Sequence, residues 1–172
     1  PGAPLPKPHV WIVACGVSDY AGDAIDLAYP AHDAETMAQA LELAGISRFG
    51  REGTHVELLT SPPQAGAEPA TREAVLAALG RVAEHAKAND VVVVYLAGHG
   101  VVLGQGETSY GYLLSGVSDL AKPAPKGEAS DVLTGLDLAQ ALAAVRANQR
   151  AVFLDTCAAG EVRGALRPGQ LP

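Results

Sequence analysis

Two short segments carry the side chains best suited to covalent chemistry. His99 lies between Gly98 and Gly100, directly after the apolar run 91–96 (VVVVYL). Cys157 follows the apolar run 151–154 (AVFL), inside Asp155-Thr156-Cys157-Ala158-Ala159-Gly160. A thiol attacks a carbonyl as its thiolate, and a neighbouring imidazole can take the proton or hold the ion pair. Glycines beside a histidine let a substrate backbone approach closely and tolerate unusual torsions. The amides of Gly100 and Cys157 are candidate donors to the oxyanion of acyl transfer. Taken singly, a cysteine at a strand end is also a small core residue, and a histidine there is also a structural hydrogen-bonder. Two glycine-framed sites, each just past an apolar strand, set a Cys–His hydrolase beside those readings.

The elements that must position these residues follow from hydrophobic period. Residues 10–15 (VWIVAC), ending at Gly16, form a continuous apolar run, as does 91–96; such runs suit strands buried on both faces of a parallel sheet. Residues 33–43 have Ala34, Met37, Ala38 and Leu41 at helical spacing, and Gly45 is placed to end that helix. Residues 55–59 (HVELL) alternate as a strand, and 61–69 read as a loop. Thr71 caps a helix running to about Lys87, with Val75, Leu76, Leu79 and Val82 on its apolar face. Residues 110–114 predict a further strand, 115–130 a surface loop, and Thr134 the cap of a helix through Leu136, Leu138, Leu142 and Val145. Strands and helices in this order predict an α/β domain with a mostly parallel sheet. Ligands of such sheets bind at the carboxyl ends of the strands, where His99 and Cys157 both fall.

Composition narrows the class further. A net charge of −7 argues against a nucleic-acid binder, which needs a basic face, and against an anionic membrane surface. No apolar run reaches the roughly 18–20 residues that span a bilayer. Two cysteines, each in or beside an apolar run, do not make a disulfide framework and point to a reduced, cytoplasmic setting. Residues 1–8 read as a linker or edge segment, 9–162 as one catalytic domain and 163–172 as a processing loop or tail. His9, His32, His55 and His85 show no metal-ligand spacing, so no metal or cofactor is expected. Cys15 is expected in the core of the first strand, and His32 near the cleft through its neighbour Asp33.

Tyr95-Leu96-Ala97-Gly98-His99-Gly100 resembles the histidine motif of the caspase and metacaspase family of cysteine peptidases. Asp155-Thr156-Cys157-Ala158-Ala159-Gly160 is similar to its cysteine motif, with Ala159 where serine is common. The cysteine follows the histidine after roughly 50–60 residues, in the family order. Residues 13–20 (VACGVSDY) and 27–41 (LAYPAHDAETMAQAL) are similar to the family's first strand and helix, although Cys15 replaces a more usual aliphatic or small residue. The resemblance implies a caspase–hemoglobinase three-layer α/β/α fold and a bacterial metacaspase-like or orthocaspase-like endopeptidase with a His99–Cys157 dyad. It also implies acids in the primary specificity pocket, matching Asp33 and Asp155, and hence cleavage after arginine, with lysine second. Taken alone, Asp33 is equally a helix N-terminal charge and Asp155 a turn residue.

Further expectations come with the family. Calcium activation would draw on Asp19 and Asp119, which otherwise read as solvated turn aspartates. Arg163 and Arg167 are candidate self-processing sites or ordinary basic tail residues. The resemblance implies a large-subunit portion, with a small-subunit chain pairing beside the nucleophile strand, a peptide or protein substrate, and a sensor or effector module elsewhere in the polypeptide. The alternatives are a separase-like defence protease of the same fold and a catalytically silent signalling domain.

Overall fold

The computed structural model describes residues 7–103, 110–121 and 131–157. Five parallel strands form the central sheet: β1 (Val10–Val17), β2 (Thr54–Ser61), β3 (Glu68–Pro69), β4 (Val91–Gly98) and β8 (Gln149–Thr156). Their order is β3-β2-β1-β4-β8. Helix α1 (Pro30–Phe49) covers one face, while α2 (Arg72–His85) and α3 (Gly135–Ala144) cover the other. The protein is thus a three-layer α/β/α domain. A small antiparallel sheet of β5 (Gly100–Val102), β6 (Tyr110–Leu113) and β7 (Val132–Thr134) packs on the α2/α3 side.

Strand alternation assigns the faces. Val10, Ile12, Ala14, Val93, Tyr95 and Ala97 turn toward α1; Val13, Cys15, Val17, Val92, Val94 and Leu96 turn toward α2 and α3. Because both faces are covered, β1 and β4 carry apolar residues at nearly every position.

The face of α1 toward the sheet is built of Ala31, Ala34, Ala38 and Gly45, so the helix lies close. Gly16 permits that approach: a Cβ there would overlap the Pro30 carbonyl oxygen and come within 2.7 Å of the Ala34 Cβ. The helix differs from expectation at both ends. It begins at Pro30, whose missing N–H costs nothing in the first turn. It also runs through Gly45, which is a packing residue against Thr54 and Val10 rather than a stop. The stop is Gly50, at φ +81°.

Helices α2 and α3 start where their caps indicate. Thr71 Oγ1 accepts from the Ala74 amide, and Thr134 with Asp137 forms a reciprocal capping box. Asp137 also accepts from Arg72 Nη2 at 2.8 Å, tying the two helix starts together. Strand β3 falls inside the expected loop 61–69, and β5 starts one residue after His99.

Candidate active site

The chain passes outward from β1 through α1 to β2 and β3, then returns through α2 to β4 on the other side of β1. That reversal opens a crevice at the carboxyl ends of β1 and β4, the usual ligand site of such sheets. A cleft of about 460 Å³ lies there, lined by Leu27, Tyr29, Asp33, Gly98, Asp155 and Cys157, among others.

The parallel register of β4 and β8 pairs Gly98 with Thr156, so His99 and Cys157 are the next residues on neighbouring strands. Gly98 has φ +145°, and a Cβ on it would lie 2.9 Å from the Tyr20 hydroxyl. A Cβ on Gly100 would overlap the Cys157 carbonyl oxygen. Both glycines flanking His99 are therefore required by close approach, one of them to the nucleophile candidate's own backbone.

His99 is held at two points by the segment that follows β1. Its backbone N–H donates to the Tyr20 hydroxyl at 3.0 Å, and its Nε2 lies 2.8 Å from the Ile25 carbonyl oxygen. A carbonyl oxygen only accepts, so Nε2 carries the proton, and the neutral ring keeps its lone pair on Nδ1. The Tyr20 and His99 rings also meet, with centroids 5.2 Å apart. Burial, foremost, pushes the Tyr20 phenol up to about 12, so it stays a neutral acceptor. The segment is anchored in turn: the Tyr20 amide donates to Asp26 Oδ1, and the Leu27 amide to the Ser18 carbonyl. His99 does not itself line the cleft; its neighbour Gly98 does.

The two thiols are sorted by exposure. Cys157 is exposed on the cleft, whereas Cys15 is fully buried and burial pushes its thiol up to about 12. Cys15 is the core residue expected of it. Asp155 lies on the α1 side of β8, Cys157 follows the last residue of that strand, and both line the same cleft as Asp33 in the first turn of α1. The expected acid pair and the thiol thus share one cavity. Tyr95 donates to Asp155 Oδ2 at 3.1 Å.

From the opposite side, β6 braces both strand ends. Tyr112 donates to the Ala97 carbonyl at 2.8 Å, and the Tyr110 hydroxyl bonds Thr156 Oγ1 at 2.8 Å. Sequence reasoning missed Tyr20, Ile25, Tyr95, Tyr110 and Tyr112. One signal was available: the chain has five tyrosines, and all of them, Tyr29 on the cleft included, gather at this end of the sheet.

Other expected residues fall elsewhere. His32 is exposed and pairs with Glu35 at 3.7 Å rather than lining the cleft. Asp119 Oδ1 accepts from the Ala121 amide as a turn residue. The Asp19 carbonyl accepts from Ser61 Oγ. Among the described residues, no group of three or more His, Cys, Asp or Glu side chains can hold a metal ion, and no helix is long and apolar enough to cross a membrane. Arg163, Arg167 and the expected processing loop 163–172 lie outside the described residues.

A three-layer α/β/α fold with an accessible thiol and a carbonyl-anchored imidazole at adjoining strand ends has the parts that a cysteine hydrolase needs. Within that class the chain belongs to the caspase-domain family of cysteine peptidases, whose model matches residues 10–170. No curated protein sequence matches it. The fold is shared with the crystal structure of protein GSU0716 from Geobacter sulfurreducens, with a TM-score of 0.57 and 20% identity over 87% of this chain. This chain spans about half of that protein's length, 51%.

Proposed function

We propose that the protein is a metacaspase-like cysteine endopeptidase in which Cys157 is the nucleophile and His99 the base, cleaving after arginine and less readily after lysine. The observation that carries this reading is the exposed Cys157 sharing one cleft with Asp33 and Asp155, beside a histidine whose Nε2 is tied to the Ile25 carbonyl.

The Cys157 proton passes to Nδ1 of His99, and the sulfur attacks the scissile carbonyl carbon. The amides of Gly100 and Cys157 meet the developing oxyanion; one such donor is typically worth about 10²–10³ in kcat. The imidazolium gives its proton to the leaving amine as the C–N bond breaks, leaving a thioester. Water, deprotonated by His99, then attacks the thioester and releases the acid and the thiol. Asp33 and Asp155 hold the substrate guanidinium, whose planar fork suits paired carboxylates.

Residues 9–162 form the catalytic unit in this reading, as a large-subunit portion. Among the described residues β8 pairs on one side only, with β4, and Phe153 on it is 52% exposed. An open edge beside the nucleophile favours a small-subunit strand as its cover. Processing at Arg163 or Arg167, or an upstream sensor, would then switch the enzyme on. Two free thiols favour a reducing, cytoplasmic setting.

The test is hydrolysis of matched reporter peptides by the full-length protein, differing only in the residue before the scissile bond. Cleavage after arginine, abolished in Cys157→Ala, is expected. Faster cleavage after aspartate, or activity surviving Cys157→Ala, rejects the assignment.

A further inference from the structure

One of the cleft's lining carboxylates, Asp155, is bonded by a hydroxyl that the peptidase reading leaves without a role. Tyr95 stands on β4 two residues before Ala97, the register partner of Asp155, and on the same α1 face of the sheet. It is 5% exposed, and its cluster neighbours are Ala14, Ala34, Ala38 and Ala97. From that fixed place its hydroxyl donates to Asp155 Oδ2 at 3.1 Å.

We propose that Tyr95 is a positioning residue for substrate selection: by holding Asp155 Oδ2 it sets the plane of the carboxylate and so makes the cleft favour arginine over lysine. The inference rests on the reading of Asp33 and Asp155 as the specificity carboxylates.

The chemistry of the two basic side chains supplies the asymmetry. A guanidinium is a planar fork that gains most when a carboxylate is presented in its own plane, whereas an ammonium is a compact charge with rotatable donors. A carboxylate free to swing serves lysine almost as well as a fixed one, but it serves arginine worse. With one lone pair of Oδ2 engaged by Tyr95, Oδ1 of Asp155 stays free for substrate, and Asp33 supplies a second carboxylate to the same cleft. Burial first, then the bond to Asp155 and the charges of Asp155 and Asp33, push the phenol up to about 12. Tyr95 is thus a donor throughout the working pH range of a peptidase.

The experiment compares wild-type full-length protein with Tyr95→Phe on two peptides that differ only as Arg or Lys before the scissile bond. Loss of a hydrogen bond to a charged group predicts a rise of about tenfold in KM for the Arg peptide, with kcat within about twofold. The Lys peptide changes by less than about threefold, so the Arg-to-Lys ratio of kcat/KM falls. An unchanged ratio overturns the proposal, as does an equal fall in kcat on both peptides at constant KM, the mark of a merely structural hydroxyl. Should Tyr95→Phe fail to fold, 3-fluorotyrosine placed at position 95 keeps the ring and makes the phenol a stronger donor. The ratio then rises, and an unmoved ratio overturns the proposal. Wild-type protein that cleaves after neither basic residue removes the arginine-pocket reading and this inference with it. Wild-type protein that prefers arginine regardless of position 95 removes this inference alone.

Discussion

Tyr20→Phe isolates one of the two attachments of His99. Phenylalanine keeps the ring that meets the imidazole at 5.2 Å and removes only the oxygen that accepts from the His99 amide at 3.0 Å. Tyr20 is 4% exposed, so water does not readily replace that acceptor. A buried donor left unsatisfied costs about 1–3 kcal/mol. For a domain of this size, at about 2–4 °C per kcal/mol, that corresponds to a fall in Tm of roughly 2–12 °C. The imidazole keeps its second anchor, the Ile25 carbonyl, but its backbone is no longer held at the end of β4. Misplacement of a catalytic group by about 1 Å costs about 10²-fold, and a loss of one anchor in two predicts a fall in kcat of about tenfold. KM should stay constant, because Tyr20 does not line the cleft. The assay is steady-state hydrolysis of an arginyl reporter peptide, run well below the variant's transition, with thermal unfolding measured in parallel. A lowered Tm with unchanged kcat would refute the reasoning, since it would leave the Ile25 carbonyl sufficient to place His99.

Two further perturbations separate the cleft from the opposite pole of the sheet. Gly16→Ala forces a Cβ into the Pro30 carbonyl and the Ala34 side chain, so the N-terminal turn of α1 must move off the sheet and carry Asp33 with it. Overpacking of this kind costs about 1–3 kcal/mol, and KM for an arginyl peptide should rise several-fold; an unmoved KM would show that Asp33 does not meet substrate. At the amino ends of the strands, His55 stacks on Trp11 at 3.9 Å and its Nε2 lies 2.9 Å from His9 Nδ1, with His85, Lys87 and the buried Asp90 around the same small cavity. Burial, then His9 and His85, hold the His55 imidazole below its usual range. A histidine depressed in the folded state contributes stability above its unfolded value of about 6.5 and loses it as pH falls. Trp11 is the single tryptophan, so its emission reports the stack directly. Emission and Tm should both change as pH drops from 8 to 5, with the emission change lost in His55→Gln; a titration that persists in that variant counts against the stack as its source.

The sequence disclosed what depends on burial period and on local chemistry. Runs such as VVVVYL report a strand covered on both faces, and Thr71 and Thr134 report helix starts through hydrogen bonds that span three residues. Long-range packing was not legible in that way. Gly45 reads as a helix stop, yet its role is set by Thr54 and Val10, which only the fold brings to it. Ile25 contributes a backbone carbonyl, so its side chain carries no signal of the contact with His99. Tyr20, Tyr95, Tyr110 and Tyr112 act through hydroxyls whose partners lie 15 to 97 positions away along the chain, beyond any local pattern.

One consequence of strand geometry connects the nucleophile to the specificity site. Asp155 and Cys157 line one cleft at the end of β8, while Thr156 between them bonds Tyr110 from the other side of the sheet. Asp155 stands only two residues before the thiol, so the backbone of β8 carries both to the same cleft with no insertion between them. Tyr95 then reaches Asp155 from the neighbouring strand because the parallel register holds Ala97 level with Asp155 and leaves Tyr95 two residues behind it on the same face. The same ladder ends at Gly98 and Thr156, so His99 and Cys157 follow it side by side in sequence on the two strands. A shift of β8 against β4 by one residue would turn the carboxylate to the α2/α3 side and take it and the thiol out of step with Tyr95 and His99. Attack and selection in the proposed peptidase thus depend on one strand register, which Gly98, Gly100, Tyr110 and Tyr112 hold at its carboxyl end.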